Sequence, residues 1–206
     1  MEITKNVPKE AWSQLTKTAC ATFDKLIYPL TATTEGIGRL IEIRFSKLQD
    51  EQKIIAAKCI EEAYQKVDAS DAPSNEKVVV KPAVIYEALE NTDNQTDQTI
   101  RTLWANLLAN EFIEGSVHPE IARLLSQITS KDALLLLGVT QKDNSTSLTI
   151  KVLKALASKT TLGIFDERKT FNHVHLENIG LIYKLENVWI LTTAGRELMR
   201  CVSDPK

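Results

Sequence analysis

Apolar residues recur along most of the chain at the three-to-four-residue spacing of a helix that buries one face. The first run opens on Asn6 as an N-cap with Pro8 in the first turn. It carries Trp12, Leu15, Ala19, Phe23, Leu26 and Ile27, and ends at Pro29. Thr33 and Thr34 offer the next cap, ahead of a second stripe made of Ile37, Leu40, Ile41, Phe45 and Leu48. A third pattern starts at Asp50, with Ile54, Ile55, Cys59 and Ala63 in step. The stretch DASDAPSNEKVVVKP then breaks the period with residues that favour turns, so it reads as a connector. Residues 78–80 form a short extended piece, and Pro82 starts a helix through Val84, Ile85, Ala88 and Leu89.

The widest apolar face comes next, from Ile100, Leu103, Trp104, Leu107, Leu108 and Phe112, and Gly115 supplies the left-handed residue that stops it. Pro119 begins another helix with Ile121, Leu124, Leu125 and Ile128, and Ser130 is expected to cap one over residues 133–139. After the polar TQKDNSTS, Leu148, Val152, Leu153 and Leu156 predict a further helix. The texture changes in LIYKLENVWILT, where Glu186-Asn187 divides two runs with strand composition, and a helix from about Thr193 to Cys201 follows. Helix, helix, helix, ribbon and helix is the order of a winged-helix module. The expected fold is therefore mainly α. N-terminal helices (1–67), a connector (68–80) and a central helical region (81–139) precede a small winged-helix-like α+β module (140–206).

Composition narrows the function more than the fold. The 206 residues are 43% hydrophobic and 25% charged, an ordinary globular balance. With 25 basic against 27 acidic side chains the net charge is −2, which disfavours non-specific nucleic-acid binding. Before Ser130 there are 14 basic and 19 acidic residues, and from Ser130 on 11 and 8, so the C-terminal part is only +3. Cys20, Cys59 and Cys201 lie far apart without a C-x-x-C pair, as expected of reduced thiols. No secretory pattern or transmembrane-length apolar run is visible, so the expectation is a soluble, cytoplasmic protein that can still touch a membrane surface.

Each candidate for chemistry has a structural counterpart. His118 precedes Pro119, whose ring pushes the histidine out of the helical region, so it reads as punctuation between helices. No nucleophile motif such as G-x-S-x-G accompanies it. His173 and His175 would share a face if their segment were extended, but further zinc ligands at suitable spacing are missing. EGIGR, with Gly36 and Gly38, lacks the strand and the G-K-[ST] ending of a phosphate loop. The pairs Asp50-Glu51 and Glu61-Glu62 read as solvated helix faces. No catalytic residue, metal or cofactor is assigned, and the chain is expected not to be an enzyme. A hydrolase or nuclease is the third reading.

Two binding readings compete. A winged-helix DNA-binding regulator would place FNHVHLEN in the major groove, yet that segment carries no Arg or Lys between Phe171 and Asn178. The second stripe combines Ile37, Leu40, Ile41 and Phe45 with Arg39, Arg44 and Lys47, a candidate interaction surface for a protein partner, a second copy or a membrane surface. Burial of the stripe in the protein's own core is the alternative.

LWANLLANEF and VHPEIARLLSQITSKDALLL, with Trp104, Asn106, Leu107, Leu108, Ala109, His118, Pro119, Leu125 and Ala133, resemble the Abi-alpha (abortive infection) family of bacteria. So does ENIGLIYKLENVWILTTAGRELMRCV, through Gly180, Leu181, Ile182, Leu191, Thr192, Gly195 and Cys201. The resemblance runs from about Lys81 to Val202. It departs from the family in Ile-Ala after the His-Pro junction, where aromatics are common, and in a less glycine-rich N-terminal helix. It implies a role in phage defence, exercised through interactions, and transfers no catalytic residues.

Overall fold

The computed structural model of the protein describes residues 9–27, 37–70, 78–91, 96–142, 169–185 and 188–205, with side chains for all of these but 9–12, 37 and 141–142. Among the described residues there are nine helices and one two-stranded sheet. In chain order they are α1 (Lys9–Leu26), α2 (Ile37–Lys47), α3 (Asp50–Asp68), α4 (Pro82–Glu90), α5 (Gln98–Glu114), α6 (Pro119–Ser126), α7 (Ser130–Lys142), α8 (Phe171–Asn178), β1 (Ile182–Leu185), β2 (Val188–Leu191) and α9 (Thr193–Cys201). The architecture is mainly α with a small β element near the C-terminus. The signals at Asn6, Pro8, Pro29, Thr33 and Thr34, the side chain of Trp12, the connector residues 71–77, the helix expected around Leu148–Leu156 and the Glu186-Asn187 turn lie outside the described residues.

Helix α5 is the axis on which the rest is assembled. Every residue from Leu103 to Glu111 is buried, so the helix is covered on all sides, by α3, α4, α7 and α9. A helix buried all round cannot rely on an amphipathic stripe for its placement, and its ends are accordingly fixed by specific groups. At the N-terminus the Asp97 carboxylate accepts from Thr99 N at 2.8 Å and Ile100 N at 3.3 Å. At the C-terminus Gly115 adopts φ 60° and its N–H closes on Glu111 O at 2.8 Å. A Cβ at Gly115 would also stand 2.8 Å from Val79 O, so the position excludes a side chain twice over.

The N-terminal layer packs α1 on α3, and the stack of Phe23 on Phe45, with centroids 3.9 Å apart, joins α1 to α2. Tyr64 of α3 donates to Leu26 O at 2.7 Å, satisfying a carbonyl at the end of α1. α2 lies on α4, and α4 on α6. Helix α7 starts at Ser130, which makes Thr129 its cap rather than Ser130. Asp132 Oδ2 accepts from Thr129 N at 2.9 Å while Asp132 N donates back to Thr129 Oγ1 at 3.4 Å.

At the C-terminal end α8 packs on α7 and β1, and β2 contacts α7 and α9. The strands are antiparallel, pairing Ile182 with Leu191 and Lys184 with Trp189 on the face that buries Ile182, Trp189 and Leu191. α9 ends against α5, and the chain beyond it returns to α3 through the Lys66–Asp204 ion pair at 2.6 Å.

Candidate functional site

Two polar knots sit at the centre of the molecule. In the first, Glu111 is fully buried in α5 and its two carboxylate oxygens hold the chain on either side of it. One accepts from Lys81 N at 2.5 Å, at the start of α4, and the other from Val117 N at 3.0 Å, in the link to α6. The Lys81 ammonium stands 3.8 Å from the same carboxylate and donates to Gly115 O. Burial raises the Glu111 pKa, while the Lys81 amide and charge and the Val117 amide pull it back. Because its acceptors are spent on backbone amides and no part of it reaches the surface, Glu111 acts as a junction for α4, α5 and α6.

The second knot explains two asparagines one turn apart. Asn106 Nδ2 donates to Val202 O at 2.8 Å, and Asn110 Nδ2 donates to Cys201 O at 2.9 Å and Ser203 O at 2.8 Å. These are carbonyls at the open end of α9, the groups a helix C-terminus leaves unsatisfied, so α5 caps α9 across more than ninety residues of sequence. Trp104, Leu107 and Leu108 pack on the remaining sides of α5, all fully or almost fully buried.

His118 is the N-cap of α6: its backbone is extended at ψ 134° and Nδ1 accepts from Glu120 N at 3.1 Å, with Pro119 as the first helical residue. The extended geometry that would have let His173 and His175 share a face is absent, because both lie in α8, two positions apart and so on different sides of it. His173 is buried against Trp189, its Nδ1 accepting from Thr170 N at 3.3 Å in a capping box, and burial, with the nearby Lys184 and Lys169 charges, lowers its pKa. His175 Nε2 instead contacts Gln127 O at 2.9 Å. Among the described residues no three metal-binding side chains converge.

The C-terminal motif residues make a third, smaller knot. Thr192 Oγ1 accepts from Gly195 N at 3.0 Å, capping α9, and donates to Gly180 O at 2.6 Å, which ties the start of α9 to the end of α8. A Cβ on Gly195 would collide with Leu181 O, and Leu191 is buried beside it. Burial also pushes the Cys201 thiol up to about 12 and the Cys59 thiol higher still, which leaves neither disposed to act as a nucleophile near neutral pH.

Polar groups of α8 are largely committed. Asn172 donates to Asp132 at 2.7 Å and Lys169 pairs with Glu177 at 2.9 Å, while Phe171 stands exposed at the helix start.

Helix α2 divides the candidate interaction residues. Ile41 and Phe45 point into the core with Leu48, whereas Arg39, Leu40 and Lys47 face outward together with Ile43; the side chain of Ile37 lies outside the described residues. Arg44 Nη2 donates to Glu90 Oε2 of α4 at 2.8 Å, its Nε stands 2.8 Å from Oε1 as an ion pair without hydrogen-bond geometry, and the nearby Glu90 carboxylate raises the Tyr86 pKa.

Sequence reasoning reached Asn106, His118, Thr192 and Gly195 but not Asn110, Glu111, Lys81 or Tyr86. Two asparagines and a glutamate inside an apolar helix were the available signal. Their partners lie too far along the chain for spacing to reveal.

A family model described as abortive infection alpha matches residues 38–199, which includes α8, both strands and most of α9. No curated protein and no solved structure matches the chain.

Proposed function

Since that match spans most of the sequence, the chain belongs to the abortive infection alpha family, and from this premise we propose that it is a cytoplasmic phage-defence factor that works by binding rather than by catalysis. The family membership is the observation that carries the defence reading. Support for the binding half comes from the way the motif residues are spent. Asn106, His118, Thr192 and the neighbouring Asn110 and Glu111 serve backbone groups of this same chain, which leaves the outward faces of helices such as α2 to meet a partner. The partner classes are another protein, a second copy of this chain or a membrane surface. The C-terminal α8, hairpin and α9 would then be a winged-helix-like packing module.

The test is infection of expressing and non-expressing bacterial cells with a panel of phages. Expressing cells should release fewer phage per infected cell and stop growing at high phage input, with adsorption unchanged. Normal burst sizes across the panel, with folded protein present, would overturn the reading. Tight binding of the purified protein to one duplex DNA sequence at physiological salt would replace it with a transcription regulator.

A further inference from the structure

We propose that the outer face of α2, with Tyr86 beside it, is a docking surface for an anionic lipid bilayer. This deepens the binding reading above and rests on it for its place in the cell, although the chemistry stands by itself. α2 has two apolar faces where a helix that only covers a core has one. Ile41, Phe45 and Leu48 fill the inner face, and Leu40, Ile43 and Lys47, at positions i, i+3 and i+7, lie along the outer one. Leu40 is 58% exposed and Ile43 39%.

Cations rim these two side chains. Arg39 and Lys47 are exposed on either side of Ile43, whereas Arg44, next to Leu40, is neutralised by its ion pair with Glu90. The helix's only carboxylate, Glu42, sits roughly 150° around from the Leu40–Lys47 line at 100° per residue. Tyr86, 40% exposed on α4 next to Glu90, adds an aromatic ring with a polar tip, the side-chain type enriched at headgroup depth.

Size separates a bilayer from a protein partner. A stable interface between proteins buries about 800 Å² on each side. Among the described residues the exposed apolar side chains on this face are Leu40, Ile43 and Tyr86, which is little for the apolar centre such an interface has. Shallow insertion of Leu40 and Ile43 between the Arg39 and Lys47 charges suits, by contrast, weak and reversible attachment to negatively charged lipid. The protein's net charge of −2 opposes that attraction elsewhere on the surface, so the patch would also set the orientation.

Co-flotation with phosphatidylcholine vesicles, with and without phosphatidylglycerol, tests this directly on the full chain. The protein should float with the anionic vesicles only, and less so as salt is raised. Lys47→Gln should weaken partition roughly fivefold, and Arg39→Gln with Lys47→Gln roughly 25-fold, at about fivefold per cation removed. Leu40→Asn should also weaken it, with an unchanged circular dichroism spectrum because the side chain is exposed. The proposal is overturned if the wild type fails to float at low salt, if it floats equally with neutral vesicles, or if the double variant floats like the wild type. Light scattering that shows a dimer dissolved by Leu40→Asn would overturn it in favour of a second copy. None of these readouts involves phage, so a failure here leaves the defence reading intact, and a failure of phage challenge leaves the lipid result intact.

Discussion

A carboxylate with no exposed atom has to be held by donors, and Glu111 shows how closely. Both of its oxygens face backbone N–H groups, so Glu111→Gln would turn an amide NH₂ toward Lys81 N or Val117 N and lose one bond at nearly constant volume. Urea denaturation should show a loss of about 2 kcal/mol, and Glu111→Ala, which strands both amides, a larger one. His173 is the other residue whose environment sets its protonation. Its folded pKa is lowered, so its contribution to stability is present above the ordinary histidine value of about 6.5 and is lost as pH falls through the lower folded value. Gln at the same capping-box position can accept from Thr170 N without titrating. Thermal melts should therefore show the wild type losing stability relative to His173→Gln as pH drops below about 6.5. The sequence showed a histidine pair, to which no metal is assigned for want of further ligands. It could not show that α8 buries one of the two rings against a tryptophan from β2. Glu111 was equally opaque, because an acidic residue amid apolar ones signals burial only once the covering elements are known.

Helix boundaries were the readable level. Pro82, Gly115, Pro119 and Thr193 mark ends that the structure reproduces, because each acts through its own backbone conformation or the groups next to it. The same locality makes the His-Pro junction predictable. His118→Asn keeps a side-chain acceptor at the N-cap and should leave stability within about 0.5 kcal/mol, since Asn is among the best caps. Pro119→Gly should cost more, roughly 1 kcal/mol, by freeing the unfolded chain, and a chemical melt of the two variants side by side ranks them. What joins one element to another was not readable. α9 has its start in its own sequence, at Thr192, but its end in α5, where Asn110 serves the carbonyls of Cys201 and Ser203. Asn110→Leu would strand them, at about 1–3 kcal/mol for each buried group left unpaired. Hydrogen exchange should then show α9 amides opening well before those of α5, whereas uniform loss of protection would mean that the clamp does not act locally.

On the scale of the whole molecule, one buried helix ties the N-terminal layer to α7 and α9, so damage to α5 and damage to an outer face should look different in a cell. Leu107 is fully buried on that helix. Leu107→Asp places a carboxylate without a partner in the core, a cost of several kcal/mol set against a total stability of about 5–15 kcal/mol for a domain. The variant should be unfolded or strongly destabilised, and protection against phage should disappear together with the folded protein. Leu40→Asp, on the exposed side of α2, should melt close to the wild type, because a side chain already 58% in water gives up little burial. Cys20→Ser, Cys59→Ser and Cys201→Ser should affect stability at most, Cys59 and Cys201 more than Cys20, in keeping with their burial. Scoring all five variants for melting temperature and for phage yield separates fold from surface. Protection lost in Leu40→Asp with an unchanged melt would assign activity to the outer face of α2. Full protection there, with loss confined to Leu107→Asp, would place the working surface on another part of the molecule. A Leu107→Asp protein that melts like the wild type would contradict the central position given to α5.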